Sequence, residues 1–353
     1  MDLPRQRELI VARRLLVRAA LLTKKVLATV DHISKSDASP VTIADFAVQA
    51  LLITALHAAF PDHGFVGEED AATLREDAHL REQVWKLVSS VSDEERLEED
   101  GEERLAVPKS SEEMLEMIDK GGQGRGGRRG KLWVMDPIDG TATFLRGEQY
   151  AISLALLEDG QEVLGLLSLP NLQLDEGRVK EKSIDESGLG IMLWASRGHG
   201  AMTQRLDSSG NWIESPRKLE KLTSPSETKE YHIVDCYASS ATDHEFVRRL
   251  ASRMGTSYPG TDCWSSHVRY AALVLGGGDL QLRVPFPKTR FMIWDHAGAQ
   301  LIFTEVGGKV TDLDGKDIDF GAGRDLSQNR GMLAAREDIH ARVRDLVTKM
   351  LAE

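Results

Sequence analysis

The chain has 353 residues, 41% of them hydrophobic and 28% charged, an ordinary soluble globular composition with room for one large or two medium cores. A net charge of −12 argues against a broad nucleic-acid-binding face. Two cysteines, Cys236 and Cys263, exclude a disulfide framework and suit a reducing, cytoplasmic compartment.

The first predicted element is an amphipathic helix from Arg5 to Val30, apolar at Leu9, Ala12, Leu16, Ala19 and Val26 with Arg or Lys between them. That pattern predicts packing, not a signal peptide or membrane span, and no other stretch reads as long and apolar enough to cross a bilayer. Ser36 to Pro40 is a polar loop, after which Thr42 is expected to cap a second helix ending near Ala59. Asp45 then stands at the capping-box spacing. Phe65-Val66 lead into Gly67-Glu68-Glu69; taken alone, Glu68 reads as a surface glutamate. The acidic run 92–105 and the glycine-rich basic run 121–131 read as solvated insertions or mobile loops. The second lies just before a strand and is placed to cover a bound phosphate.

That strand carries the densest chemistry. Leu132-Trp133-Val134-Met135 delivers Asp136, followed by Pro137, Ile138, Asp139, Gly140 and Thr141. Pro137 fixes its own φ and biases Asp136 to an extended conformation, and Gly140 permits a turn other residues resist. Both carboxylates and the Ile138 carbonyl can then face one point. Hard divalent cations such as Mg²⁺ take oxygen donors of this kind beside a phosphate. Two such ions about 4 Å apart polarise a phosphoryl oxygen and supply hydroxide. The bland alternative is a strand–turn–helix with aspartates as turn formers and Thr141 as a cap.

Further along, apolar runs flanking Asp159-Gly160 predict a β-hairpin over 149–169. The polar connection 175–188 is the expected boundary between halves 1–180 and 181–353. Beyond it, strands are expected at 191–195, 231–236, 280–284 and 331–334. Helices are expected at 244–254, 265–275, 295–305 and 337–352, with a short β-element over 309–320 turning at Asp314-Gly315. No internal repeat is visible. The predicted class is α+β or α/β, with mixed sheets layered against helices.

Asp-Pro-Ile-Asp-Gly-Thr (136–141) with Phe144-Leu145-Arg146-Gly147 resembles the first signature of the lithium-sensitive, Mg-dependent phosphatase superfamily. That superfamily includes inositol monophosphatases, fructose-1,6-bisphosphatases and 3'(2'),5'-bisphosphate nucleotidases. Trp294-Asp295-His296-Ala297-Gly298 followed by Glu305-Val306-Gly307-Gly308 resembles the second, and Ser39-Pro40-Val41-Thr42 with Asp45 and Val66-Gly67-Glu68-Glu69 match upstream pieces. The segments FLRGEQYA, LPNL, LRVP and DFGAGR are similar to the bisphosphate nucleotidase branch. The resemblance spans nearly the whole chain and implies alternating layers of helix and sheet, with the site between the two halves.

It also implies roles. Glu68, Asp136, Asp139, Asp295 and the Ile138 carbonyl match the ligands of two or three Mg²⁺ ions, with Glu69 in an outer shell or at a third ion. Asp45 and Thr141 match the pair that orients and deprotonates the attacking water. Gly140, Thr141, Ser266, Arg269 and Arg283 match substrate-binding positions; Arg269 stands where the family has lysine, and as a residue of the 265–275 helix it otherwise reads as exposed. Two departures bear on specificity: Ala142-Thr143 replaces a lysine-glycine pair, and Ala238 stands where the family has a histidine. The implied substrate is 3'-phosphoadenosine 5'-phosphate or a relative, hydrolysed to AMP and phosphate. An inositol phosphate or sugar bisphosphate, or a non-catalytic phosphate-binding role, remain the alternatives. No nucleic acid or membrane partner is expected, and the chain is expected to be a monomer.

Overall fold

The computed structural model describes residues 5–28, 40–94 and 104–353. Ser39 and residues 95–103 of the acidic run lie outside them. The chain opens with α1 (Gln6–Leu27) and α2 (Pro40–Ala59), then β1 (Gly64–Gly67), α3 (Ala72–Glu76), α4 (Ala78–Glu94) and α5 (Ser111–Gly122). β2 (Lys131–Asp139), the single turn α6 (Thr141–Phe144), β3 (Ala151–Glu158) and β4 (Gln161–Leu169) follow. Next come β5 (Gly188–Ser196), β6 (Ala201–Asp207) and the two-residue β7 (Arg217–Lys218). The remainder alternates: β8 (Val234–Asp235), α7 (His244–Met254), β9 (Thr261–Asp262), α8 (Ser266–Leu275), β10 (Leu280–Arg283), α9 (Ala297–Glu305), β11 (Gly308–Thr311), β12 (Met332–Arg336) and α10 (Glu337–Leu351).

Strands β1 to β7 form one sheet in sequence order, with β1 parallel to β2 and the other pairs antiparallel. Both faces are covered, so its strands read as continuous apolar runs. On β3, Ile152, Leu154 and Leu156 join a core with α1, α2, α4 and α5, while Ala151, Ala155 and Leu157 join a second core with α8 and α9. A small sheet, β10-β12-β11, splits the remaining apolar residues in the same way. Met332 and Ala334 face the second core, and Leu333 and Ala335 face a third with α7 and α10. Helices, large sheet, helices, small sheet and helices therefore alternate, as the resemblance implied. The large sheet continues across residue 180, so a cut there separates β4 from β5.

One close contact fixes the position of α9 on the large sheet. A Cβ on Gly165 of β4 would stand 2.3 Å from the Gly298 carbonyl oxygen. Gly165→Val is expected to force α9 off the sheet and to cost about 3 kcal/mol or more, since overpacking against backbone cannot relax by rotamer change. Chemical denaturation measures this, and a loss below about 1 kcal/mol would refute the contact.

Several expectations change. α2 begins at Pro40, so Thr42 lies within the first turn and does not cap it, and the capping-box reading of Asp45 goes with it. Asp45 is instead buried inside the helix's packed face. The stretch Thr42–Ala59 is long and apolar enough to cross a membrane, against the expectation; 72% of it is buried in the first core, which accounts for its composition. Helices α3 to α5 occupy ground left unassigned, and 92–94 of the acidic run belong to α4. The predicted strand 231–236 reduces to β8, and α9 begins at Ala297, two residues after Asp295. The glycine-rich run is not simply solvated. Its first two residues end α5, and Gly124 packs so tightly that a Cβ there would overlap the Phe65 carbonyl.

Candidate active site

The parallel pairing of β1 and β2 builds the centre of the site. Gly67 is in register with Met135, so Glu68, just past the end of β1, comes beside Asp136 of β2. β2 then runs on through Asp139, so the strand ends in both carboxylates. The β2–β3 register shifts between Asp136 and Asp139, a bulge at Pro137-Ile138, because proline has no N–H for the ladder. The bulge re-aims the second carboxylate. Gly140, at φ 99°, turns the chain into α6.

Asp139 accepts hydrogen bonds of 2.6 Å from the Ser265 hydroxyl and from the His267 backbone N–H. Ser265 also caps α8, so that helix start is clamped to the carboxylate. Donor atoms of Asp136, Asp139 and His267 lie within 4.8 Å of one another. His267 was absent from the sequence reading. It is fully buried, its Nε2 lies 2.9 Å from the Trp294 carbonyl, and its Nδ1 has no partner among the described residues. A carbonyl partner on one ring nitrogen leaves the other as a lone-pair donor.

The electrostatics are those of crowded acids, with arginines only at the edge of the group: Arg283 and Arg269 by Asp295, and Arg324 by Glu68. Burial, then the charges of Asp295, Glu69 and Asp139, push the Glu68 carboxyl up to about 8, although a hydrogen bond with Asp136 pulls it back. Asp136 is 1% exposed; burial first, then Glu68, Asp139, Asp295 and Asp45, hold it well above the usual carboxylate range. One of its oxygens has no hydrogen-bond partner among the described residues. Asp45 is raised by burial and by Glu69 and Glu68. Asp295 is pushed up to about 6, mainly by burial and by Asp139, with Arg283 and Arg269 acting in the opposite direction. An orphaned buried carboxylate oxygen within converging acids is the pattern a divalent cation relieves. The donor set is almost all oxygen, which suits a hard ion.

The structure thus brings Asp45, Glu68, Asp136, Asp139 and Asp295 into one electrostatic cluster. It does not join Asp45 to Thr141: no hydrogen bond links them among the described residues, and Thr141 is exposed at the mouth. Glu69 is raised by burial and by Asp70, and its backbone is held by the buried Gln49 of α2. Gln49 accepts from the Glu69 N–H at 3.0 Å and donates to the Glu69 carbonyl at 2.6 Å. Sequence gave no signal for Gln49, an unremarkable polar residue within an apolar helix.

On the opposite side stand the arginines. Arg269 is 4% exposed, which rules out its reading as an exposed helix residue. Its guanidinium donates to the Cys263 and Trp264 carbonyls and, at 2.8 Å, to the Ser266 hydroxyl. Arg283 lies over the Phe291 ring at 4.4 Å. Burial and the nearby Arg269 push it down to about 10, while Asp295 favours its charge. The departures separate here. Thr143 is buried and donates to the Gly140 carbonyl at 2.7 Å, so it holds the turn, whereas Ala142 and Ala238 are exposed and leave open surface.

The profile of the inositol monophosphatase family matches residues 5–351. A 3'(2'),5'-bisphosphate nucleotidase of Emericella nidulans is 37% identical over 98% of this chain and 99% of its own. One of Oryza sativa is 34% identical over 95% and 92%. Among solved structures, inositol monophosphatase II of Staphylococcus aureus superposes with a TM-score of 0.60 at 17% identity, covering 96% of this chain and 92% of that one. An inositol monophosphatase of Thermotoga maritima gives 0.56 at 18%, covering 98% of each chain. These folds share the layering described above, and the near-full-length matches in sequence agree with them: this chain belongs to the inositol monophosphatase family.

Proposed function

We propose that the protein is a Mg²⁺-dependent phosphomonoesterase that removes the 3'-phosphate of 3'-phosphoadenosine 5'-phosphate, or of a related 3'-phosphorylated nucleotide, giving AMP and phosphate. Phosphatase activity comes with the family, and its bisphosphate nucleotidase members match end to end. The observation that carries the reading is the buried Asp136, one oxygen of which has no partner among the described residues, within a group of like charges that ends at Asp295, where Arg283 and Arg269 act.

Glu68, Asp136, Asp139, Asp295 and the Ile138 carbonyl would hold two or three ions, with Glu69 outside them. Bound there, Mg²⁺ lowers the pKa of water and neutralises charge on phosphoryl oxygens. Asp45 would take the proton of the attacking water and Thr141 would help orient it, a pairing that bound substrate and metal would have to complete, since no hydrogen bond joins the two among the described residues. The Gly140 backbone and the Ser266 hydroxyl, the latter already fixed by Arg269, receive phosphate oxygens. Arg283 supplies a cation for the second phosphate. The division of labour is functional: residues 1–180 carry most metal ligands, and 181–353 carry Asp295 and the substrate groups. Two unpaired, buried cysteines are compatible with a reducing cytoplasm, and we place a monomeric enzyme there.

The test is phosphate release with Mg²⁺ from 3'-phosphoadenosine 5'-phosphate, inositol 1-phosphate, inositol 1,4-bisphosphate and 3'-AMP, with and without Li⁺. Fast, lithium-sensitive turnover of the first supports the reading; preference for an inositol phosphate overturns the substrate. In the same assay, Arg283→Ala is expected to raise KM for the bisphosphate about 10- to 100-fold, the worth of one charge-assisted hydrogen bond at roughly 1.5–3 kcal/mol. KM for 3'-AMP should move less. Equal effects on both would remove Arg283 from the second phosphate.

A further inference from the structure

We propose that Arg324 is the positioning residue that holds the two metal-ligand segments, around Glu68 and around Asp295, in one geometry. This rests on the metal reading above. Arg324 belongs to the segment Asp319-Phe320-Gly321-Ala322-Gly323-Arg324, to which no role has been attached so far. Its guanidinium donates to the Gly67 carbonyl at 2.8 Å, one residue before Glu68. It also donates to the Gly121 and Gly124 carbonyls, both at 2.9 Å, at the end of α5. The same group lies 4.7 Å from the centre of the Trp294 ring, one residue before Asp295. Its own carbonyl accepts the Ile293 N–H at 3.0 Å.

The connections do not stop there. The Trp294 carbonyl meets His267, whose backbone N–H donates to Asp139. Gln49 holds Glu69 from the other side. Glu68 is therefore gripped at both of its neighbours, and one guanidinium spans β1, the start of the glycine-rich run and the approach to Asp295. The Gly67, Gly121, Gly124 and Trp294 positions are 257, 203, 200 and 30 residues distant from Arg324 in sequence, and only a planar fork with several donors can serve all three carbonyls while stacking on an indole. A lysine offers one compact charge and cannot. Outer-shell partners of this kind change metal affinity by 10- to 100-fold when removed.

The experiment measures Mg²⁺ binding by isothermal titration calorimetry on wild type, Arg324→Met, Arg324→Lys, Asp136→Asn and Leu250→Ala, with kcat measured against Mg²⁺ concentration. Leu250 lies in the third core and serves as a variant destabilised away from the site. Arg324→Met and Arg324→Lys are expected to weaken Mg²⁺ binding at least tenfold, with kcat recovering most of its value at saturating Mg²⁺; Leu250→Ala should bind as wild type does. If Arg324→Met fails to fold, Arg324→Lys carries the test alone. Wild-type affinity in the Arg324 variants, while Asp136→Asn loses binding, overturns the proposal and leaves the metal site standing. Absence of Mg²⁺ binding in wild type, or its persistence in Asp136→Asn, overturns the metal reading itself. Equal weakening in Leu250→Ala would reduce Arg324 to general stability.

Discussion

Asp136→Asn is expected to lower turnover by about a thousandfold or more while leaving the metal-free protein at least as stable as wild type. The two halves of this result have one cause. Asp136 is the most enclosed carboxylate of the cluster, and every charge named around it is negative. At neutral pH the metal-free fold must either bury that charge beside its neighbours or keep it protonated. The amide removes the problem at constant shape. It leaves an imperfectly paired polar group, which costs about 1–3 kcal/mol, against a repulsion of similar or larger size. In turnover the balance reverses. A ligand lost from a metal-assisted displacement removes several kcal/mol from the transition state, and about 4 kcal/mol is a factor of a thousand. Denaturation in a chelator and kcat in Mg²⁺ measure the two sides. A metal-free variant weaker than wild type by more than about 3 kcal/mol would mean that Asp136 is structural; retained turnover would mean it is no ligand.

The features legible in the sequence are those encoded within a few residues. The hairpin at Asp159-Gly160 forms with both residues at positive φ, because that dipeptide suits the turn. α7 starts at His244 with Asp243 accepting from the Phe246 N–H, and it ends where Gly255 takes a left-handed conformation. Helix α4 was readable too, since Leu80, Val84, Val88 and Val91 recur at helical spacing, but the acidic run that follows masks it. Asp136 and Asp139 announce themselves because a proline and a glycine frame them.

What brings the four segments together was not legible. The register of Gly67 with Met135 sets Glu68 beside Asp136, and register depends on how the whole sheet packs. Gln49, His267 and Arg324 act across distances in sequence that no local pattern carries. The capping alternative for Asp45 fails for the same reason. Its spacing from Thr42 is a local signal, but the helix starts at Pro40 and tertiary burial decides its surroundings. The burial of Arg269 likewise depends on the loop 263–264 folding back over its guanidinium.

The crowding of acids makes a second large prediction: metal-free protein should lose stability as pH rises, and Mg²⁺ should return it. Glu68 is pushed up to about 8 and Asp295 to about 6, and Asp136 and Asp45 are also raised. A raised carboxyl means the folded state keeps a proton that the unfolded chain has given up. The unfolded state then binds fewer protons, so the unfolding free energy falls with pH, starting near the unfolded value of about 4 and ending near the folded value of about 8. Glu68 opens to solvent at the cleft, which screens part of the effect, so a total loss of about 2 kcal/mol is expected between pH 5 and pH 8. Mg²⁺ must displace the retained protons to bind. Calorimetry in buffers of different ionisation enthalpy should therefore show protons released at pH 6 and almost none at pH 9, with apparent affinity rising between them. The Mg²⁺-dependent gain in Tm should grow over the same interval. A metal-free Tm that climbs from pH 5 to pH 8, or Mg²⁺ binding without proton release at pH 6, would show that these carboxylates are not crowded in the folded protein.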